Sequence, residues 1–366
     1  MGSGNRKMIA VALVAVLVVA IVAVVALSQN KNAGSQLATV TDASGMNVTL
    51  SASPSRIVSC APDISEVVAA LNLTDKLVAV TDYCDYPQGV KDLRDAGKTI
   101  GGFYTPSYEK VISYNPDLVI VSNSVQTQID MATQLRSSGY TVLVVNAATN
   151  ISMVYENINM IGKLVGLESK ANDMVEDMKS KIASIGEAIS GDAEPSIMFV
   201  TYAEAGFTNV WPAGGGTAIG EIIDLAGGSN VFAEMNGFEM ASDEVLKSKA
   251  SSVDYIVMTI MYSPESPENT SAWFKSDSLW KESPAVKNNN IYFLTGESEN
   301  IFNRESVRTV DAVQLLAEIL HPDAFSGEVP HSADGVNIIG DDYVDYLPSG
   351  TASQFTPAVL VSSWRE

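Results

Sequence analysis

Histidine and cysteine are nearly absent from this chain. Its 366 residues hold two of each, His321 and His331, Cys60 and Cys84. A zinc site takes about four such ligands, so zinc chemistry with the usual side chains is disfavoured. A catalytic relay needs a base and a nucleophile, or a metal, in mutual reach. Neither histidine falls in a loop that follows a strand pattern, and no GxSxG elbow, Walker loop or HExxH helix occurs. Positive charge is scarce as well: 22 Lys and Arg stand against 43 Asp and Glu, a net charge of −21. Arg6, Lys7 and Lys31 lie in an N-terminal segment without acids, so the remainder carries those three charges fewer, −24. Such a balance disfavours nucleic acid and anionic lipid surfaces as partners and favours solubility or a basic partner.

Residues 8–27 are an unbroken apolar run behind Arg6 and Lys7. Twenty residues at ~1.5 Å each span ~30 Å, a bilayer core. The positive flank puts the N-terminus on the cytoplasmic side. Two readings stand: an uncleaved transmembrane anchor, or a long signal peptide cut near residues 26–28. No cysteine follows the run closely, which disfavours a lipid anchor. Either reading exports the rest of the chain, and the polar, small residues 32–38 read as a flexible tether. In an oxidising compartment Cys60 and Cys84 are candidates for a disulfide, with two free thiols as the alternative.

Residues 56–87 read as one βαβ unit. An apolar strand at 57–60 is followed by Pro62, which a first helical turn tolerates, and by Asp63 and Glu66 at the positive end of the helix. A second strand at 77–80 runs into Thr81-Asp82-Tyr83-Cys84-Asp85-Tyr86-Pro87. Parallel sheets bind ligands beyond the carboxyl ends of their strands, so this loop is the first place to look. Before the unit, residues 38–42 and 47–50 form a hairpin. After it come a short strand into a glycine turn at 98–106, a helix capped by Ser107, a strand at 118–121, a helix at 128–138, a strand at 142–145 and a helix at 151–164. Residues 168–189 have an apolar stripe at helical spacing and form one helix of about six turns. A second series follows: strands at 197–201, 255–259 and 291–294, a loop at 202–216, and helices at 218–226, 243–249, 271–275 and 306–320.

The fold class is therefore α/β, with two lobes bridged by one long helix that resists bending. The expected domains are an N-terminal anchor or signal with tether (1–36), a first lobe (37–165), a spine helix (166–192), a second lobe (193–320) and a C-terminal extension (321–366). The extension shows Gly, Pro and Asp clusters and one short helical candidate at 342–347.

The strand-end loops are rich in aromatics: Tyr83, Tyr86, Phe103, Tyr104, Tyr202, Phe207, Trp211, Phe238, Tyr262 and Phe302. One such ring is ordinary core packing. So many along one edge point to a large flat or amphipathic ligand held by stacking. Gly214-Gly215-Gly216-Thr217 opens a helix, as an anion cradle or as a plain turn. Glu109, Asp243 and Glu244 sit at helix starts, where capping charges are common.

Residues 38–320 resemble the substrate-binding proteins of ABC importers for cobalamin and iron-siderophore complexes. The resemblance rests on RIVSCAP, VAVTDYCDYP, IGGFYTPSYEKVISYNPDLVIV, AGGGTAIGEIIDLAGGSNVF and ASDEVLKSKASSVDYIV, in that order around one spine helix. It implies a ligand cleft between the lobes, no enzymatic activity and no resident cofactor. The TDYCDYP loop is most similar to the cobalamin-binding branch, and the resemblance places Tyr83, Phe103, Trp211 and Phe302 at or near the corrinoid pocket. Phe103 stands where well-known members have tryptophan. Arg304 matches the family's cleft arginine. Glu109 and either Asp243 or Glu244 match acids that dock on the permease. The implied partners are the permease and ATPase subunits of the importer, with a corrinoid as cargo. Alternatives are a ferric siderophore or haem, or an enzyme on a two-lobed scaffold, for which the cysteines are too few to hold a metal cluster.

Overall fold

The computed structural model describes residues 38–325 and 328–348. Residues 8–27, expected as the anchor, lie outside them. Among the described residues no helix is long and apolar enough to cross a membrane.

The first lobe is built on strands β3 (Ile57–Ser59), β4 (Leu77–Ala79), β5 (Leu118–Ser122) and β6 (Val142–Val145), in spatial order β4-β3-β5-β6 and all parallel. β3, β5 and β6 are buried at every position. Helices on both faces require this, and it is why these strands read as apolar runs without alternation. The helices are α1 (Pro62–Ala70), α2 (Gln88–Asp95), α3 (Tyr108–Ser113), α4 (Gln126–Ser137) and α5 (Ile151–Leu164). Pro62 does open α1, with Asp63 in its first turn. Ser107 caps α3 by accepting from the Lys110 amide. β1 (Ala38–Thr41) and β2 (Asn47–Leu50) pair as the expected antiparallel hairpin. The segment at 98–106 forms isolated bridges rather than a strand, and α2 was not legible because it buries only Val90.

α6 (Glu168–Ala188) is the spine, 21 residues and so ~31 Å long. Ala171, Met174, Val175 and Met178 join the core of the first lobe, while Ile185 joins that of the second. One rigid element is thus cemented into both cores. Gly162 lets α5 lie against it: a Cβ there would come within 2.3 Å of the Ala171 Cβ.

The second lobe has strands β7 (Ser196–Glu204), β8 (Thr208–Pro212), β9 (Ser229–Asn230), β10 (Tyr255–Thr259), β11 (Ile291–Leu294) and β12 (Asn337–Ile339). Their order is β12-β11-β10-β7-β8, with β9 on the lower half of β7, and only β8 runs antiparallel. Its helices are α7 (Ala218–Leu225), α8 (Asp243–Lys249), α9 (Pro267–Ser276), α10 (Pro284–Lys287), α11 (Glu297–Asn303) and α12 (Thr309–Leu320).

Three expectations change. The loop at 202–216 is largely a β7–β8 hairpin, turned by Gly206, Phe207 and Asn209 at positive φ. Its edge strand is mostly exposed, so it carries little apolar signal. The helix expected at 306–320 starts at Thr309, and a separate α11 precedes it. The C-terminal extension is in part integral to the second lobe. β12 extends the sheet beside β11, and Tyr343 and Leu347 enter its core.

Candidate functional site

The loops at the carboxyl ends of the strands form the candidate site. In the first lobe the Asp82 amide donates to the Gly101 carbonyl at 3.0 Å. This brings the 81–87 loop beside the turn that carries Phe103 and Tyr104. Buried Gln128 then fixes that turn, its amide donating to the carbonyls of Cys60 at 3.0 Å and Phe103 at 2.9 Å. Phe103 and Tyr104 meet edge to face at 5.0 Å. In the second lobe Tyr262 lies just beyond β10, and Tyr202 beyond the reach of β10 pairs with Trp211.

The structure sorts the aromatic residues. Tyr83, Tyr104, Trp211, Phe238 and Tyr262 are exposed, Tyr262 the most at 69%. Tyr86, Phe103 and Tyr202 are half-buried. Phe207 and Phe302 are buried. Phe302, expected on the pocket, packs 5.1 Å from Phe199 in the second core and serves as support beneath the site. Tyr83 and Tyr104 from one lobe and Tyr262 from the other converge. Burial, then the electrostatic influence of Tyr83 and Tyr104, raises the Tyr262 phenol above its ordinary value.

Of the two alternatives for the cysteines, the structure has Cys60 and Cys84 as separate buried thiols. Cys84 Sγ lies 3.3 Å from Ser65 Oγ and 3.1 Å from Thr81 Oγ1. Burial raises the pKa of both thiols and so disfavours the thiolate, which suits protonated packing groups.

Beneath the rings a charged cluster joins the lobes. Arg308 has no exposed side-chain surface and Glu66 has 1%. Arg308 grips Glu66 with two bonds, Nε to Oε2 at 3.0 Å and Nη2 to Oε1 at 2.5 Å. Its remaining arm reaches Glu297 at 2.6 Å, and its guanidinium lies 3.7 Å over the Tyr86 ring. Ser306 also donates to Glu66. Burial opposes the Arg308 charge, but Glu66 outweighs it and holds the group well above its ordinary value. Sequence reasoning placed Glu66 only as a helix-end charge and Asp85 only as a member of the 81–87 loop, and missed Arg308 and Glu297. The available signal was two arginines four residues apart in an acidic chain with only seven.

Arg304, expected on the ligand, is instead taken up by this cluster. Its side chain is 10% exposed. It pairs with Asp85 at 2.5 Å and Glu66 at 3.5 Å, and donates to the Tyr83 carbonyl at 3.2 Å. A second strut is the Ile151 amide donating to Glu221 at 2.6 Å. Nearby acids carry the strain of burial: Asp63 is pushed up to about 6, Glu299 to about 7, and Glu305, beside Asp63, to about 7.

The glycine run does not form an anion cradle. A Cβ on Gly214 or Gly215 would come within 2.5 Å or 2.3 Å of the Met235 or Ala233 carbonyl, so the run permits close backbone packing. The adjoining cavity of about 210 Å³ is lined by Glu221 and Asp224. A second cavity, about 410 Å³, lies at the amino ends of the first-lobe strands, away from the rings. Glu109, Asp243 and Glu244 are exposed at the first turns of α3 and α8. Among the described residues no group of three or more His, Cys, Asp or Glu is placed to hold a metal ion.

Two α/β lobes on one spine helix, with exposed rings at the strand ends of both, suit a solute-binding protein. The chain belongs to the periplasmic binding protein family, whose model matches residues 57–297. It is the substrate-binding component of an ABC importer and not an enzyme. It is 33% identical to an uncharacterized ABC transporter substrate-binding lipoprotein of Bacillus subtilis, across 78% of this chain and 86% of that protein. It is 28% identical to a cobalamin-binding protein of Halobacterium salinarum, across 77% of this chain and 74% of that one. The fold is shared with a periplasmic heme-binding protein of Roseiflexus, with TM-score 0.62 and 22% identity over 74% of this chain and 99% of that one.

Removing one partner of a buried ion pair typically costs ~3–5 kcal/mol, because the other charge is left stranded. Glu66→Ala is therefore expected to lower the melting temperature sharply, while Lys179→Ala on the exposed spine surface pair with Glu176 changes it little. Equal, small effects in calorimetry would remove the cluster as a structural determinant.

Proposed function

We propose that this protein captures a corrinoid outside the cytoplasm and delivers it to an importer permease, held at the membrane by residues 8–27. The observation that carries the reading is the set of exposed rings at the strand ends of both lobes, Tyr83 and Tyr104 in the first and Tyr262 in the second, near enough that the first two raise the Tyr262 phenol. A corrinoid is broad, flat and partly apolar, which suits stacking. The named cobalamin-binding relative supports the same cargo. A haem or ferric siderophore is the second reading, favoured by the fold shared with the heme-binding protein.

In this reading Tyr83 and Trp211 flank the ligand, one from each lobe, with Phe103 behind Tyr83. Phe302 and Arg304 act from beneath, by packing and by anchoring the 81–87 loop. Truncating a stacked aromatic in a desolvated pocket typically costs ~2 kcal/mol, about thirtyfold in affinity. Titration calorimetry with cyanocobalamin is the test. Tyr83→Ala and Trp211→Ala should each weaken binding on that scale, and unchanged affinities would make the rings structural. No heat or spectral change with the unaltered protein would end the corrinoid reading.

Glu109 and the Asp243-Glu244 pair would meet basic residues of the permease, one contact per lobe. Exposed charges of this kind orient partners and speed encounter more than they add affinity. The variant Glu109→Lys, Asp243→Lys, Glu244→Lys is expected to keep cyanocobalamin affinity within about twofold. It should nonetheless fail to stimulate ATP hydrolysis by the reconstituted importer. Normal stimulation would return the three acids to helix capping.

A further inference from the structure

The loops around the cleft are short of positive charge. Residues 60–61, 81–87, 100–107, 123–125, 146–150, 205–207, 260–266, 295–296 and 304–308 contain two basic side chains, Arg304 and Arg308. Both are already taken. Arg308 is sealed between Glu66 and Glu297 with no exposed side-chain surface. Arg304 is the one that reaches the cleft floor, and Asp85 holds it at 2.5 Å. The cluster thus sets three carboxylates, Glu66, Asp85 and Glu297, against Arg304 and Arg308, with Arg94 a more distant third cation 3.9 Å from the other oxygen of Asp85. Asp82 is exposed beside Tyr83, and Glu299 lies behind Tyr262, its carboxylate accepting from the Met261 amide at 2.9 Å. What these loops offer a ligand besides their backbone is ring faces, hydroxyl and amide groups and carboxylate oxygens, with both of their cations already paired. Carboxylates accept hydrogen bonds from amide N–H groups and repel other carboxylates. The repulsion is strengthened where water is excluded.

We propose that Asp85 determines ligand charge: by neutralising Arg304 it makes the cleft select uncharged, amide-bearing macrocycles and reject ligands that bring carboxylates. This rests on the corrinoid reading above. It applies within corrinoids too, since a corrin whose peripheral amides are intact has the same shape as one with an amide hydrolysed to an acid. Asp85 acts here as a positioning residue, through Arg304, with no contact to the ligand required.

The experiment uses cyanocobalamin, its monocarboxylate made by hydrolysing one peripheral amide, and haemin, with the exported protein lacking residues 1–36. The measured quantity is the ratio of affinities for the amide and the acid within each variant, so a general loss of stability cancels. The unaltered protein should prefer the amide about tenfold, a difference of ~1.4 kcal/mol. Asp85→Asn removes the shorter of the two carboxylate contacts of Arg304, leaving Glu66 at 3.5 Å, and should reduce that preference severalfold. Asp85→Asn combined with Arg304→Gln, which removes the nearer of the two cations that Asp85 faces and leaves Arg94 on Asp95 at 2.8 Å, should restore it. The change in the single variant should fade at high salt. Equal binding of amide and acid by the unaltered protein would overturn the charge filter while leaving the corrinoid reading in place. A ratio unmoved by Asp85→Asn, or not restored by the second substitution, would also overturn it. Tight haemin binding with neither corrinoid bound would overturn the corrinoid reading and the filter with it.

Discussion

One buried ion cluster governs the relation between the lobes. Arg308 follows α11 in the second lobe and Glu66 lies on α1 in the first, and each satisfies the other with a bidentate pair out of contact with water. Taking two charges from water is expensive, and a buried pair is often no more stabilising than a hydrophobic one of the same volume. What it provides is orientation: one guanidinium meets Glu66, Glu297 and the Tyr86 face at once. The lobes cannot part at this point without leaving an uncompensated charge. α6 enforces the same relation from the other side, through Met174 and Met178 in one core and Ile185 in the other.

Function follows from that fixed frame. Because α1, α11 and the 81–87 loop are tied by Glu66, Arg308, Arg304 and Asp85, Tyr83 is held by its own backbone carbonyl. Phe103 and Tyr104 are held through Gln128. Rings fixed in advance lose little freedom when a ligand arrives, so more of the stacking energy appears as affinity. A binding protein built this way needs no domain closure to capture its cargo.

Much of the fold was legible in the sequence. α5, α8, β10 and β11 stand where periodicity put them, as does the spine to within one residue. Their signals are local: long apolar runs, a stripe of methionines, a serine or asparagine cap. The site was legible only in part. Exposed rings at strand ends announced themselves, but Phe302 and Arg304 could be assigned only by where matching residues lie in similar proteins. Their roles here depend on contacts between positions over 200 apart in the chain, as in Arg304 with Asp85. Single-chain patterns carry no such information. β12 escaped for a related reason: three residues are too few for a periodic signal, and pairing with β11 supplies what propensity does not.

The central claim is a cleft preformed by the ion cluster and the spine. Small-angle scattering of the exported protein, with and without saturating cyanocobalamin, tests it most directly. The account predicts superimposable profiles, with the radius of gyration unchanged within error. A clear contraction on binding, as in hinge-closing binding proteins, would contradict it.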